Sequence, residues 1–285
     1  MKALNIKRFP NKRVAITGGA SGLGKAMATY FAKQGWRVAI ADINDTRGEC
    51  ACKELEAYGA DAFYQRCDVQ NIDELIAFKQ AIVDRWGGLD IIVNNAGVAT
   101  HGPIDTAALD DWDWVININL MGVVRGCKLF VGLFKQQGYG HVVNIASMAG
   151  LIHAPEMNSY NATKAAVVAL SETMRVELKP YGIGISVVCP SFFETNLAES
   201  ARSPDENIQA LINKLLAKSN ITADDIARDV YDAVKQNMFY VLPHKNDRRY
   251  WYLKRHVPAA YFALMDQLGK RIKKTREKNG QLKTA

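Results

Sequence analysis

Ser147, Tyr160 and Lys164 stand as Ser-x12-Tyr-x3-Lys, three side chains that together can hold an oxygen and move a proton. Tyr160 and Lys164 are four apart, so a helix places them on one face, and an ammonium beside a phenol favours the phenolate. A phenol that otherwise keeps its proton to about pH 10 then becomes a general acid or base nearer neutrality. A tyrosine and a lysine at this spacing also occur on solvated helix faces. What separates the two readings lies upstream.

The loop Thr17-Gly18-Gly19-Ala20-Ser21-Gly22-Leu23-Gly24 follows the apolar run Arg13–Thr17 and opens a helical pattern from Leu23 to Gln34. Strand, glycine turn and helix is the setting in which such a loop cradles a pyrophosphate on backbone amides at a helix N-terminus. The spacing is Gly18-x3-Gly22-x-Gly24 rather than the commonest dinucleotide fingerprint. A second strand, Trp36 to Ala41, ends at Asp42. A carboxylate there accepts hydrogen bonds from an adenosine ribose and repels a 2′-phosphate, which predicts NAD(H) as the preferred cofactor over NADP(H). Ser21 offers no positive charge where one could offset that phosphate, and Arg47 is the cation left to do so. A serine hydrolase would need an activated serine, a base and an oxyanion hole, and has no use for Asp42 or the glycine loop.

Further functional-looking groups recur at strand ends. Asp68-Val69 follows a strand at Ala62 to Arg66, and Asn94-Asn95-Ala96-Gly97 follows a strand at Leu89 to Val93. Between them the pattern predicts a helix over Ile72 to Trp86. Apolar runs alternating with helical patterns from 13 to 243 predict parallel βαβ units: an α/β, Rossmann-type doubly wound fold, mostly parallel, with helices on both faces of the sheet. No linker, repeat or low-complexity tract divides that span, so residues 1–243 read as one dinucleotide-binding catalytic domain.

These pieces resemble the short-chain dehydrogenase/reductase family over residues 13–243. The matching motifs are the Thr17 to Gly24 loop, Asp68-Val69, Asn94 to Gly97, Asn119, Ser147, Tyr160-x3-Lys164 and Pro190 to Thr195. The resemblance implies an NAD(H)-dependent oxidoreductase that interconverts an alcohol and a carbonyl. It implies that the pyrophosphate lies against Gly18 and Ser21, Gly22, Leu23 and Gly24, and the adenosine ribose on Asp42. Asp68 and Val69 would hold the adenine, with Asn95, Ala96 and Gly97 beside it. Tyr160 would transfer the proton, Ser147 hold the substrate oxygen, Lys164 lower the phenol, Tyr160 and Lys164 bond the nicotinamide ribose, and Asn119 support a water relay to solvent. Pro190, Phe193 and Thr195 would border the nicotinamide, in a stretch that carries Ser191 for the family's glycine and Phe193 for its valine. An alternative is a dinucleotide-sensing binding protein that kept the fold and lost turnover.

The substrate wall is expected from Thr100 to Pro103, Met148 to Met157 and a lid near 192–220 that includes Phe192, Phe193, Leu197 and Ile208 to Leu216. Met148, Leu151, Ile152, Pro155 and Met157 predict an apolar pocket for a hydrophobic alcohol or ketone, with a sugar or polyol as the alternative. His101 and His153 read as loop groups at its mouth, outside the catalytic set.

The net charge of +7 sits at one end: twelve Lys/Arg against three acids from His244 onward, leaving the rest mildly acidic. The whole is therefore not a nucleic-acid-binding domain. Val257, Tyr261, Leu264, Met265, Leu268 and Ile272 follow a helical spacing within this basic extension, 244–285. The helix is expected to pack over the catalytic body or a second subunit, or to make peripheral contact with an anionic membrane. The family resemblance implies a homodimer or homotetramer through the stretches Asp111 to Gln136 and Ser159 to Lys179. The longest purely apolar run is Val257 to Met265, short of the roughly 20 residues a membrane span needs. The start, Met1 to Arg13, lacks a signal-like apolar stretch. Five scattered cysteines (50, 52, 67, 127, 189) without clustered histidines predict reduced thiols, no metal site and a cytoplasmic setting.

Overall fold

Arg13–Thr17 forms β1, with all five residues buried, as a parallel strand covered on both faces must be. The computed structural model describes residues 8–193, 199, 201–203 and 219–278. The other strands are β2 (Arg37–Asp42), β3 (Ala62–Arg66), β4 (Ile91–Asn94), β5 (Gly140–Ile145), β6 (Ile183–Val188) and β7 (Tyr240–Val241). They form one seven-stranded sheet in the order β3-β2-β1-β4-β5-β6-β7. Every pairing is parallel, and Val14 lies in register with both Val38 of β2 and Ile91 of β4. Strand order reverses between β1 and β4. The crevice for a ligand opens there, at the strands' C-terminal ends.

The principal helices are α1 (Gly22–Lys33), α2 (Asp45–Ala57), α3 (Ile72–Trp86), α4 (Leu109–Ile116), α5 (Gly122–Gln137), α6 (Asn158–Leu178) and α7 (Ala223–Gln236). On one face α1, α2 and α7 bring Met27, Phe31, Leu55 and Val230 against Val14, Ile16, Ile40 and Val93. On the other, α3, α5 and α6 bring Phe78, Ile82, Phe130 and Val167 against Ala15, Ile92 and Val142. Chemistry at the ends sets these lengths. Asn71 caps α3 by accepting from the Asp73 amide, and Gly87 stops it in the left-handed region at φ 71°. Thr222 and Asp225 form a reciprocal capping box at the start of α7.

The predicted helix Asp111 to Gln136 is present but interrupted. A π turn, Asn117–Met121, joins α4 to α5 and buries Asn119. The run Leu109–Gln137 is long and apolar enough by composition to cross a bilayer, which corrects the estimate made from uninterrupted apolar residues. It packs as a core helix, with Val123, Cys127, Phe130 and Phe134 buried in the cluster against the sheet.

At the opposite end of the sheet, His141 on β5 is wholly buried. Its Nδ1 accepts from Arg8 at 3.1 Å, so Nε2 carries the proton and meets Ser186 Oγ at 2.9 Å. Burial, with the nearby Arg8 charge, pushes this imidazole down to about 3. The folded state thus resists a proton that the unfolded chain accepts below about pH 6.5. The stabilising contribution is complete above that pH and is lost as pH falls toward 3, the loss reaching about 2 kcal/mol at pH 5. Urea unfolding at pH 7.5 and 5.0 should show His141→Gln losing less stability on acidification than the wild type by about that amount. Equal losses in the two proteins would contradict the assignment.

After β7 the chain continues as α8 (Lys245–His256) and α9 (Pro258–Lys278). The expected apolar stripe divides. Tyr261 is 2% exposed and Met265 and Ile272 are half-buried, whereas Val257, Leu264 and Leu268 are exposed.

Candidate active site

The glycine loop leaves β1 at the reversal point and meets the segment after β4. Thr17 Oγ1 accepts from the amides of Asn95 (3.0 Å) and Ala96 (3.2 Å), while Asn95 Nδ2 donates to the carbonyls of Thr17 and Gly18, each at 3.0 Å. Thr17 is the residue that sequence reading missed as a site member: it belonged to the quoted loop, but its partners lie 78 and 79 residues away. Gly18 has φ 63°, and a Cβ on Gly24 would stand 2.0 Å from the Gly18 oxygen. The loop therefore turns at a pitch that side chains forbid. Ser21 is the N-cap of α1 yet makes no side-chain cap bond, and the first turn carries no acid. With Gly22 and Leu23 in that turn, amides and helix dipole are left for an anion. These residues fit a dinucleotide pyrophosphate.

Asp42 ends β2 with its carboxylate accepting from the amides of Ala20 and Asn44, both at 3.1 Å. Arg47, the cation that could have offset a 2′-phosphate, is 3.0 Å from Glu199. Asp68 accepts from the backbone and side chain of Gln70, so it shapes its own turn, and Val69 is buried against Gly122 of α5.

Past β5, Ser147 Oγ accepts from the Ala149 amide at 3.1 Å and lies 3.3 Å from the Pro190 carbonyl as donor. Tyr160 and Lys164 lie on the buried face of α6, 7% and 4% exposed. Lys164 Nζ donates to the Ile145 carbonyl at 3.0 Å and sits 5.7 Å from the Tyr160 ring centroid. Burial pushes the phenol up to about 12, against a hydrogen bond from Ser147 that pulls it down. Burial also lowers Lys164 to about 8, with Cys189 working the other way. The expectation that the lysine charge brings the phenol toward neutrality is thus corrected for this structure: burial opposes both charged forms, raising the phenol and lowering the ammonium.

Asn119 spends its amide on Val98, receiving from its N–H at 2.8 Å and donating to its carbonyl at 2.9 Å. A Cβ on Gly97 would lie 3.2 Å from Asn119 Oδ1 and 3.5 Å from Lys164 Nζ, so these three residues are brought together. Ser147, Tyr160, Lys164 and Asn119 come from four separate positions in the chain onto one end of the sheet.

Some expected wall residues are elsewhere. Met148 and Leu151 belong to one core cluster and Phe193 to the other, because the segments that carry them pack down on the sheet. Phe193 is therefore a core side chain, and only its backbone is left for a ligand. Ile152, Pro155 and Met157 are half-buried, and Phe192 is 40% exposed. His153 bonds through Nδ1 to the Ala149 carbonyl, and His101 lies 3.7 Å from Glu156. His244, unassigned from the sequence, takes the Ser191 amide on Nδ1 at 3.1 Å and thereby fixes the stretch that begins at Pro190. Thr195, Leu197 and the run Ile208 to Leu216 lie outside the described residues.

The short chain dehydrogenase family profile matches residues 12–206. A probable oxidoreductase, EphD, of Mycobacterium tuberculosis is 31% identical over 237 residues, which are 80% of this chain and 40% of that protein. The chain thus spans well under half the length of that relative. A C alpha-dehydrogenase of a Sphingobium species is 30% identical over 257 residues, covering 85% of this chain and 84% of that one. A crystal structure of a short-chain dehydrogenase/reductase from Burkholderia phymatum in complex with NAD is similar with a TM-score of 0.83 at 31% identity, covering 87% of this chain and 94% of that chain. With the glycine loop, the parallel sheet and the Ser-Tyr-Lys array in place, this chain belongs to the short-chain dehydrogenase/reductase family of NAD(P)-dependent oxidoreductases.

Proposed function

We propose that the protein interconverts a hydrophobic alcohol and its ketone or aldehyde, with NAD(H) as the preferred cofactor. The observation that carries this reading is the half-buried Ser147 with the buried Tyr160, Lys164 and Asn119, set beside a glycine loop shaped for a pyrophosphate. A bound nicotinamide dinucleotide supplies the hydride donor or acceptor. Tyr160 gives its proton to the carbonyl oxygen in reduction and takes the alcohol proton in oxidation. Ser147 holds that oxygen by a hydrogen bond. Lys164, packed beside Gly97 and Asn119, holds the nicotinamide ribose and passes the proton on toward solvent. Half-buried Ile152, Pro155 and Met157 and exposed Phe192 favour an apolar substrate over a polyol. An absorbance assay with NADH and NAD over steroids, long-chain alcohols, aldehydes and sugar alcohols tests the reading. Turnover confined to sugar alcohols would overturn the substrate class, and dinucleotide binding without turnover of any would favour the sensing protein.

The cofactor preference rests on Asp42 and on Arg47 being engaged with Glu199. Wild type should favour NAD(H) over NADP(H) by at least about 10-fold in kcat/KM, and Asp42→Ala should narrow that ratio by removing a repulsive charge. A wild-type preference for NADP(H) would refute it. The same reading includes a homodimer or homotetramer built on α4, the π turn, α5 and α6, where Leu109, Met121 and Val176 are exposed. A monomer in light scattering at micromolar concentration would count against it.

A further inference from the structure

The C-terminal extension reaches back to the two loops that flank the proposed substrate position. Three contacts from α8 and α9 fall on the segment after Ser147. Lys254 Nζ donates to the Leu151 carbonyl at 2.8 Å. The Tyr261 hydroxyl, buried, accepts from the His153 amide at 3.1 Å. Arg276 Nε lies 2.8 Å from Glu156 Oε1, and both side chains are under one-fifth exposed. Glu156 is the pivot. Its φ is 64°, a conformation that a residue with a Cβ adopts only where its surroundings hold it. Its other carboxylate oxygen is 3.7 Å from His101 Nε2, and its backbone oxygen accepts from Gly102 at 2.7 Å. Gly102 in turn bridges Met157, and Thr100 Oγ1 is 2.7 Å from Ser159 Oγ, one residue before Tyr160.

We propose that the extension is a built-in clasp on the loops beside the substrate site: Tyr261, Lys254 and the Arg276–Glu156–His101 chain hold the 148–157 loop to the 99–103 loop and so set the shape of substrate the site accepts. The proposal rests on the reading of Ser147 and Tyr160 as the reacting centre, because both loops flank that centre in sequence and in space. These three extension residues are positioning residues. They act through the loops, and their removal leaves the proton-transfer groups in place. The clasp also explains why the apolar stripe of α9 divides: the Tyr261 side is spent on the loop, whereas Leu264 and Leu268 are not.

The test uses the full chain. Hydrogen–deuterium exchange is followed in wild type, Arg276→Met, Tyr261→Phe and Glu156→Gln, with Arg276→Lys as the conservative control. Peptides covering 148–157 and 99–103 should exchange at least about 5-fold faster in Arg276→Met and Glu156→Gln, while β1 and α1 are unchanged. Arg276→Lys should restore most of the protection. In parallel, NADH-linked reduction of straight-chain 2-alkanones from 2-butanone to 2-undecanone should show KM for the best ketone rising at least about 5-fold in Arg276→Met with kcat within about 2-fold, and the chain-length preference flattening. Unchanged exchange in either loop overturns the clasp. Faster exchange with unaltered KM and chain-length profile overturns its role in substrate selection. Failure of the underlying reading is a separate result: wild type would then turn over none of the ketones, or Tyr160→Phe would leave turnover intact.

Discussion

Tyr160→Phe should lower turnover by at least about 10²-fold, equivalent to about 2.7 kcal/mol of barrier. The substitution deletes one oxygen and keeps the ring, so the packing of α6 against β5 and β6 survives. The affinity for NADH, read by fluorescence, should stay within a few-fold. Burial holds the phenol protonated at neutral pH, which is the form that reduction requires. Phenylalanine can neither give nor take that proton, so the loss should appear in both the reductive and the oxidative assay. A variant with near wild-type turnover, under conditions where a kinetic isotope effect shows chemistry to limit the rate, would remove Tyr160 from the mechanism.

Gly24→Ala should weaken NADH binding by at least about 100-fold, about 2.7 kcal/mol. A methyl there would sit 2.0 Å from the Gly18 oxygen and 2.6 Å from Asn95 Nδ2. Neither can retreat, because the same Asn95 amide is bonded to the Thr17 and Gly18 carbonyls. The turn must open, and the amides facing the pyrophosphate move with it. Gly132→Ala is the matched control. It lies in α5, and a Cβ there meets nothing within 4 Å, so helix propensity alone should make it neutral to slightly stabilising. Calorimetric titration settles the comparison: a Gly24→Ala protein that remains folded and binds NADH within about 3-fold of wild type would sink the assignment of the loop.

Much of this site was legible because its parts are local. The glycine loop, the Tyr160–Lys164 spacing and the strand-end position of Asp42 each follow from a short stretch and from the rule that ligands gather at the carboxyl ends of parallel strands. The strands themselves are near-continuous apolar runs, as central strands of a covered sheet must be. Three things were not legible, for one reason. Thr17 receiving two amides from beyond β4, His244 receiving the Ser191 amide, and Glu156 joining α9 to His101 are all contacts between residues far apart in the chain. No periodicity carries them. The pKa of Tyr160 failed in the other direction: spacing supplied the lysine, but the depth of burial, which reverses the shift, is a property of the finished fold. Met148, Leu151 and Phe193 read as pocket residues because apolar type does not say which way a side chain faces.

The π turn at Asn117–Met121 gives the rod formed by α4 and α5 one residue more than an uninterrupted α-helix of the same rise would hold. Its vulnerability is therefore to a change of chain length. Removing Leu120 would rewind the turn to α spacing and rotate everything on its amino-terminal side, Asn119 included, by about 100° relative to α5. Val123, Cys127 and Phe130 would keep their places on the sheet, but the asparagine would turn away from Val98, leaving two backbone groups without partners. A single-codon deletion is thus expected to silence the enzyme in a segment where most exposed substitutions are tolerated, and a fully active deletion variant would show that the asparagine's register is dispensable.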